Sequence, residues 1–160
     1  MDAELIARQR ELRSLLGEAQ VVAVVGISSK PQRPSHDVAS YLQEHGYRIV
    51  PVNPNETEVL GERAYPSLLD IPPELSVDVV DVFRRAEHAP DVARDAVAIG
   101  AKVLWLQEGI VSQEAARIAT EGGLDVIMGV CIKKVRQRLI PEDREAVDGQ
   151  TLDREKGTDR

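Results

Sequence analysis

The sequence predicts a single α/β domain built on one parallel β-sheet with helices on both faces. Two observations support this prediction. Short apolar runs of strand length alternate with segments of helical length along the chain, which is typical of repeated βαβ units. Glycines also follow the helical segments, at Gly46, Gly100 and Gly122, where a helix often ends in a left-handed residue before the next strand.

Each element follows from its local pattern. The run VVAVV at 21–25 is almost entirely β-branched, which predicts a strand buried on both faces. The predicted strands cover 21–25, 48–52, 77–82, 102–106 and 125–128, and the predicted helices cover 34–44, 89–99, 112–121 and 132–139. We expect a Rossmann-like, doubly wound sheet of about five strands in the order 3-2-1-4-5, with ligands outside the carboxyl ends of its strands.

Three further segments complete the expected organisation. Residues 1–20 read as an amphipathic, charged helix, and residues 21–140 form the predicted domain. The proline-rich crossover at 53–76 contains a short helix around 67–70. The tail at 141–160 is charged and poor in apolar residues, so we expect it to be mobile or loosely packed.

Composition limits the classes of partner. The chain has 160 residues, 42% of them apolar, which is enough for one ordinary domain. Its net charge of −7 argues against general binding to nucleic acid or to an anionic membrane. We find no transmembrane run or signal peptide, and Cys131 is the only cysteine, so we expect a cytoplasmic protein without disulfides or a cysteine-rich metal centre.

The stretch VVGISSKPQRPSH has the outline of an anion-binding turn between a strand and a helix. Gly26 ends the first strand and permits close approach of a ligand, and the hydroxyls of Ser28 and Ser29 follow after Ile27. Lys30 and Arg33 then supply positive charge before the helix begins. The alternative is that these two side chains are only solvated.

The expected dinucleotide fingerprint is missing from this turn. A Rossmann NAD site has the pattern G-x-G-x-x-G and an acidic residue after the second strand. Here Ser28 stands at the second glycine position, and Asn53 and Pro54 follow the second strand. The phosphate loop of nucleoside triphosphatases, G-x-x-x-x-G-K-[ST], is also absent. The loop therefore favours an adenine nucleotide that carries more negative charge than NAD.

Five motifs in order, VVGISSKPQRPSH, GYRIVPVNP, VDVVDVFRRAE, VLWLQEGI and a cysteine before a basic helix, resemble the small CoA-binding domain proteins. These are relatives of the amino-terminal domain of the succinyl-CoA synthetase alpha chain, and the resemblance covers about residues 21–139. It implies that the first loop cradles the CoA pyrophosphate and that the later motifs border the rest of the ligand. The residues implied are Gly26, Ile27, Ser28, Ser29, Lys30 and Arg33 in the loop, Val52, Asn53 and Pro54 beside the adenosine, and Phe83 and Arg84 along the ADP and pantetheine path.

The last two motifs leave alternatives open. By resemblance, Gln107, Glu108 and Gly109 correspond to a turn near the site of chemistry in the synthetase, although Gly109 also suits a plain turn before the next helix. The fifth motif departs from the family pattern, because Val135 and Arg136 replace a common Glu-His pair. The resemblance therefore implies no role for such a pair in this chain.

No catalytic set is evident. The synthetase acts through a phosphorylated histidine of its second domain, so we expect no ligase activity from these 160 residues alone. His36 and His45 read as surface residues, whereas His88 lies near the predicted crevice. Cys131 precedes a helix whose N-terminus favours a thiolate, so it is either a partner for the CoA thiol in a mixed disulfide or a small buried apolar residue.

The sequence therefore predicts a protein that binds CoA or acyl-CoA, with no catalytic residues and no metal. Two alternatives belong to other classes. One is an NAD(P)- or acyl-CoA-dependent enzyme, and the other is a CoA-binding subunit of a larger acyl-CoA enzyme. A small-molecule ligand is the expected partner, and the sequence identifies no protein partner.

Overall fold

The computed structural model describes residues 3–141. It divides into two compact units, one of residues 19–133 and one that combines residues 3–18 with the described residues from 134 onwards. The strands are β1 (Val21–Val25), β2 (Arg48–Val52), β3 (Glu58–Val59), β4 (Glu62–Arg63), β5 (Val79–Val82), β6 (Val103–Glu108) and β7 (Asp125–Gly129). The helices are α1 (Ala3–Glu18), α2 (Pro34–Glu44), α3 (Ala89–Ala98), α4 (Gln113–Glu121) and α5 (Ile132–Leu139), with 3-10 turns at Leu68–Asp70 and Ala86–His88.

The smaller unit contains α1 and most of α5. Within it, the Arg13 Nε–H donates to the Leu139 carbonyl oxygen at 3.1 Å. All but the first residue of the predicted tail at 141–160 lies outside the described residues. No described helix is long and apolar enough to cross a membrane.

The larger unit is an α/β domain with a five-stranded parallel sheet in the order β2-β1-β5-β6-β7. Beyond β2, Tyr65 forms an isolated parallel bridge with Val52. Tyr65 comes after β2 in the sequence, so the bridge can be numbered as the third strand. The order of the sheet is then 3-2-1-4-5-6, which contains the predicted 3-2-1-4-5 pattern. The bridge, rather than the strand predicted at 77–82, fills the third position. The strand at 79–82 pairs instead with β1.

Because both faces of a parallel sheet are covered, its strands are apolar almost throughout. Ala23, Val80 and Leu104 point to one face, where they pack with buried residues of α3 and α4. The alternate register row holds Val24, Asp81 and Trp105 in β1, β5 and β6. Asp81 is therefore a carboxyl group in the central part of the sheet, and it is fully buried.

The structure corrects one predicted helix cap. Gly122 was expected to be left-handed, but its φ is −85°, and the next residue, Gly123, has a φ of +91°. Gly122 is instead constrained by packing, because a Cβ at this position would lie 2.5 Å from a methyl carbon of Val97. The C-terminus of α4 therefore has glycines for two different reasons. A side chain at position 122 would clash with Val97, and position 123 has a positive φ.

Candidate functional site

The loop between β1 and α2, residues 26–33, begins at a glycine that no other residue could replace without strain. Gly26 has a φ of +89°, and a Cβ there would lie 2.8 Å from the carbonyl oxygen of Phe83. The backbone of the β1 end therefore approaches the backbone of the β5 end closely. This is the position where strand order reverses about β1, and such a reversal opens a ligand crevice in α/β sheets.

The amides of this loop are engaged by oxygen atoms. The Ser28 N–H donates to Ser35 Oγ at 3.0 Å, and the Lys30 N–H donates to Ser28 Oγ at 3.0 Å. The Ser29 N–H donates to the Glu56 carboxylate at 2.9 Å. Ile27 is fully buried and anchors the loop. The loop is thus an ordered set of donors rather than an unstructured connection.

The two cationic side chains of the loop, Lys30 and Arg33, are exposed. Among the described residues, neither side chain has an ion-pair or hydrogen-bond partner. Arg33 is the N-cap residue of α2, its side chain makes no capping hydrogen bond, and proline follows at the first helical position. The positive end of α2 and two unpaired cations therefore lie on the same short segment.

The end of β2 forms the second edge of the crevice. The Gly26 N–H donates to the Val52 carbonyl oxygen at 2.8 Å. The Asn53 side chain then links two loops, because its Nδ2 donates to the Ile27 carbonyl oxygen at 2.8 Å and its Oδ1 accepts from the Asn55 N–H at 2.9 Å. Both ends of the Asn53 amide are thus used by the protein backbone.

A cleft of about 420 Å³ opens between the ends of β1, β2 and β5. Its lining includes five residues that the sequence predicted for the site, Gly26, Val52, Asn53, Pro54 and Arg84. The remaining lining residues are Val25, Asn55, Pro66, Ser67, Leu68, His88, Asp91, Val92 and Asp95. The cleft joins segments that are far apart in the sequence.

Most of the residues on the α3 side of the cleft were not predicted from the sequence. His88, Asp91, Val92 and Asp95 line it, and only His88 was expected near the crevice. Burial raises the pKa of Asp95, and the negative charge of Asp91 raises it further. The spacing of positions 88, 91, 92 and 95 is typical of one face of a helix, and in the structure His88 is the N-cap residue of α3. The sequence does not show that this face borders the cleft, because that depends on how α3 packs on the sheet.

Other predicted residues lie outside this cleft lining. Gln107 is buried, and its Oε1 accepts from the Ile132 N–H at 3.1 Å. The neighbouring Trp105 Nε1–H donates to the Val130 carbonyl oxygen at 2.9 Å. These two side chains of β6 therefore hold the backbone on both sides of Cys131, which is itself 9% exposed. Glu108 and Gly109 are exposed at the end of β6.

The first lysine of α5 is engaged within the larger unit. Lys133 Nζ lies 2.9 Å from Asp37 Oδ2 of α2 and 5.5 Å from the centre of the Tyr41 ring. Its charge is thus partly neutralised by Asp37 rather than free for a phosphate. Within the described part of the chain, no group of three or more His, Cys, Asp or Glu side chains is arranged to hold a metal ion.

Comparison with known proteins assigns the family. The model of the CoA binding domain family matches residues 20–137. This chain belongs to the CoA binding domain family. The matched region contains residues 26–33 between β1 and α2, which we call the anion loop, together with all of the cleft-lining residues and Cys131.

Relatives of different length share this domain. The Bacillus subtilis protein YneT is 43% identical over 123 residues, which cover 77% of this chain and 90% of YneT. The solved structure of a hypothetical protein from Pyrococcus horikoshii is 39% identical, covers 82% of this chain and 92% of its own, and superposes with a TM-score of 0.79. The alpha subunit of ADP-forming acetate–CoA ligase I from Pyrococcus furiosus is 33% identical over 129 residues, which cover 77% of this chain but only 24% of the subunit.

Proposed function

We propose that this chain binds CoA or acyl-CoA in the cleft at the ends of β1, β2 and β5, and that it acts as a binding module without catalysing a reaction. The observation that carries the proposal is the position of the anion loop beside the cleft. Gly26 lines the cleft, and the exposed cations Lys30 and Arg33 follow on the same loop. Membership of the CoA binding domain family supports this assignment.

The charge distribution favours a ligand with several phosphates. Lys30 and Arg33 have no anionic partner among the described residues, so a phosphate can pair with either without breaking an existing ion pair. No side chain caps the N-terminus of α2, so the positive end of its helix dipole also faces an anion bound there. CoA carries a pyrophosphate and a 3′-phosphate, and the two cations provide one partner for each.

The same geometry disfavours NAD. An NAD site uses a carboxylate after the second strand to accept hydrogen bonds from the ribose hydroxyls. Asn53 stands there instead, and its side-chain carbonyl and amide groups already bond to Asn55 and Ile27. The cleft nevertheless suits an adenosine, since Val52, Pro54 and Val92 offer apolar surface to a flat base.

In this proposal the pantetheine arm follows the end of β5. Phe83 and Arg84 follow β5, and Arg84 lines the cleft. We propose that the arm passes these residues towards Gln107, Glu108, Gly109 and Cys131 at the ends of β6 and β7. A cytoplasmic location belongs to the same proposal, in keeping with the acidic composition and the single cysteine.

Isothermal titration calorimetry with CoA and with NAD tests the proposal. We expect CoA to bind and NAD to bind much more weakly. Lys30→Ala and Arg33→Ala should each weaken CoA binding by about 1–3 kcal/mol if each side chain makes a charge-assisted bond to a phosphate. Dephospho-CoA distinguishes contact with the 3′-phosphate from contact with the pyrophosphate. Substituting a residue that contacts the 3′-phosphate should not change the affinity for dephospho-CoA, which lacks that group.

Arg48→Ala is the matched control. Arg48 is an exposed cation at the start of β2, at the opposite end of that strand from the cleft. Arg48→Ala removes one positive charge, as Lys30→Ala and Arg33→Ala do, and it should leave the affinity for CoA almost unchanged. NAD binding as tight as CoA binding would contradict the proposal, and so would equal effects of all three substitutions.

A further inference from the structure

One amide of the anion loop is already bound to an anion from the protein itself. The Ser29 N–H donates to Glu56 Oε2 at 2.9 Å. Glu56 lies on the segment that follows β2, 27 residues further along the chain, and it is half-buried. A phosphate oxygen bound in this loop would accept a hydrogen bond from the same kind of backbone donor.

Two other amides of the loop have neutral partners. Ser28 N–H and Lys30 N–H both donate to serine hydroxyls, those of Ser35 and of Ser28 respectively. A hydroxyl can rotate away or accept a second bond, whereas a carboxylate repels an incoming phosphate. The contact of Ser29 with Glu56 is therefore the one among these three that opposes ligand binding.

The Glu56 carboxylate is not held by a cation. Across residues 3–141, no ion pair is formed by Glu56, and the Ser29 N–H is the partner that its side chain contacts. The segment that carries it is fixed separately, because the Glu56 N–H donates to the Asn53 carbonyl oxygen and Asn53 Nδ2 donates to the Ile27 carbonyl oxygen. The loops thus stay joined when the carboxylate leaves.

We propose that Glu56 is an internal substitute for a ligand phosphate, and that CoA must displace its carboxylate from Ser29 before the loop can hold the pyrophosphate. This inference rests on the proposed function. Two anions cannot share the Ser29 N–H, so each binding event breaks one charge-assisted hydrogen bond within the protein. Glu56 therefore lowers the affinity of the loop for any anionic ligand that uses the Ser29 N–H.

The test compares Glu56→Gln with Glu58→Gln. Glu58 is an exposed carboxylate in β3, so its substitution removes the same charge from the same hairpin region. By calorimetry, we expect Glu56→Gln to tighten CoA about tenfold relative to Glu58→Gln. Inorganic pyrophosphate is the second probe, and it should show a gain in the same direction because it competes for the same amide.

The outcomes distinguish this inference from the proposed function. If the wild type binds CoA and Glu56→Gln binds it equally or more weakly than Glu58→Gln, Glu56 merely supports the loop and the inference is wrong. If neither the wild type nor either variant binds CoA or pyrophosphate, both proposals are wrong. If pyrophosphate alone binds and Glu56→Gln tightens it, Glu56 still acts as a substitute for a phosphate, and the assignment of the ligand to CoA is wrong.

Nuclear magnetic resonance of the wild-type protein provides a readout that does not depend on a variant. During a CoA titration, the side-chain carboxyl ¹³C resonance of Glu56 should move towards the position typical of an exposed glutamate. The Ser29 amide should meanwhile stay protected from hydrogen exchange, because a phosphate replaces the carboxylate. A Glu56 resonance that does not move while CoA saturates the protein would overturn the inference.

Discussion

Replacing Asp81 with asparagine should remove a pH-dependent loss of stability that originates in the centre of the sheet. Asp81 is 0% exposed, and neither of its carboxylate oxygens has a hydrogen-bond partner among the described residues. Its register neighbours are Val24 and Trp105, and the indole N–H already donates to the Val130 carbonyl oxygen. Burial therefore raises the pKa of Asp81 well above its ordinary value of 3.8.

The sign of the effect follows from the protons bound in each state. In the unfolded chain the Asp81 carboxyl loses its proton above pH 3.8, whereas in the folded protein it keeps the proton to a higher pH. Between these two pKa values the folded state binds one more proton, so the free energy of unfolding falls by about 1.4 kcal/mol per pH unit. This contribution is fully present below the unfolded pKa and is lost as the pH rises through the folded pKa.

Urea denaturation of the wild type and of Asp81→Asn from about pH 4 to about pH 8 measures the effect. Subtracting the two free energies of unfolding cancels the other titrating groups. The difference should shift in favour of the variant by about 1.4 kcal/mol per pH unit and become constant above the folded pKa. The asparagine amide also lacks a hydrogen-bond partner, which destabilises the variant by an amount that does not depend on pH. The slope of the free-energy difference against pH, rather than its absolute value, is therefore decisive.

Asp125→Asn is the control, because it removes an exposed carboxyl group at the start of β7 rather than a buried one. A difference for Asp81→Asn that does not change with pH would refute the reasoning, and so would the same slope in both variants. A difference that shifts in favour of the wild type as the pH rises would refute it more strongly, because the Asp81 carboxylate would then be ionised and stabilised in the folded protein.

Two other predictions concern Asp78, directly before β5, and Cys131, which follows β7. Burial alone would raise the pKa of Asp78, but hydrogen bonds from two backbone amides and the ammonium of Lys102 hold it below 3.8. Asp78→Asn should therefore lower the free energy of unfolding by about 1–3 kcal/mol at neutral pH. Urea denaturation should show that this loss disappears as the pH falls through the lowered pKa. CoA disulfide should add CoA to Cys131 and release one CoA thiol, faster in Gln107→Ala because the Gln107 side chain holds the following residue. Peptide mapping that finds the adduct only after unfolding would make Cys131 purely structural.

The main elements could be predicted because their signals are local. The strands at 21–25 and 48–52 and the helices at 34–44 and 132–139 have the predicted bounds. The strand predicted at 77–82 begins two residues later, at Val79. The β3–β4 hairpin was not predicted, because a two-residue strand is too short to show alternation and its turn places Leu60, rather than glycine or asparagine, at a φ of +56°.

For the candidate site, local sequence indicated the loop but not its surroundings. The position of Gly26 after an apolar strand, followed by hydroxyls and cations, predicted an anion loop, and five of the predicted residues line one cleft. The family resemblance, rather than the local pattern, placed Gln107 near the ligand, and in the structure the Gln107 side chain supports the backbone after Cys131. A buried glutamine looks the same in sequence whether it contacts a ligand or a backbone amide.

The sequence by itself determined the α/β class, the alternation of elements and the loop that begins at Gly26, because hydrophobic period, β-branching and glycine act over a few neighbouring residues. Only the tertiary structure decided which side chains meet. The contact of Ser29 with Glu56 spans 27 residues, and that of Gln107 with Ile132 spans 25. Such pairs depend on strand order and register, which bring remote segments together. The isolation of Asp81 has the same origin, because its surroundings are set by the strands on either side of β5 rather than by its neighbours in the chain.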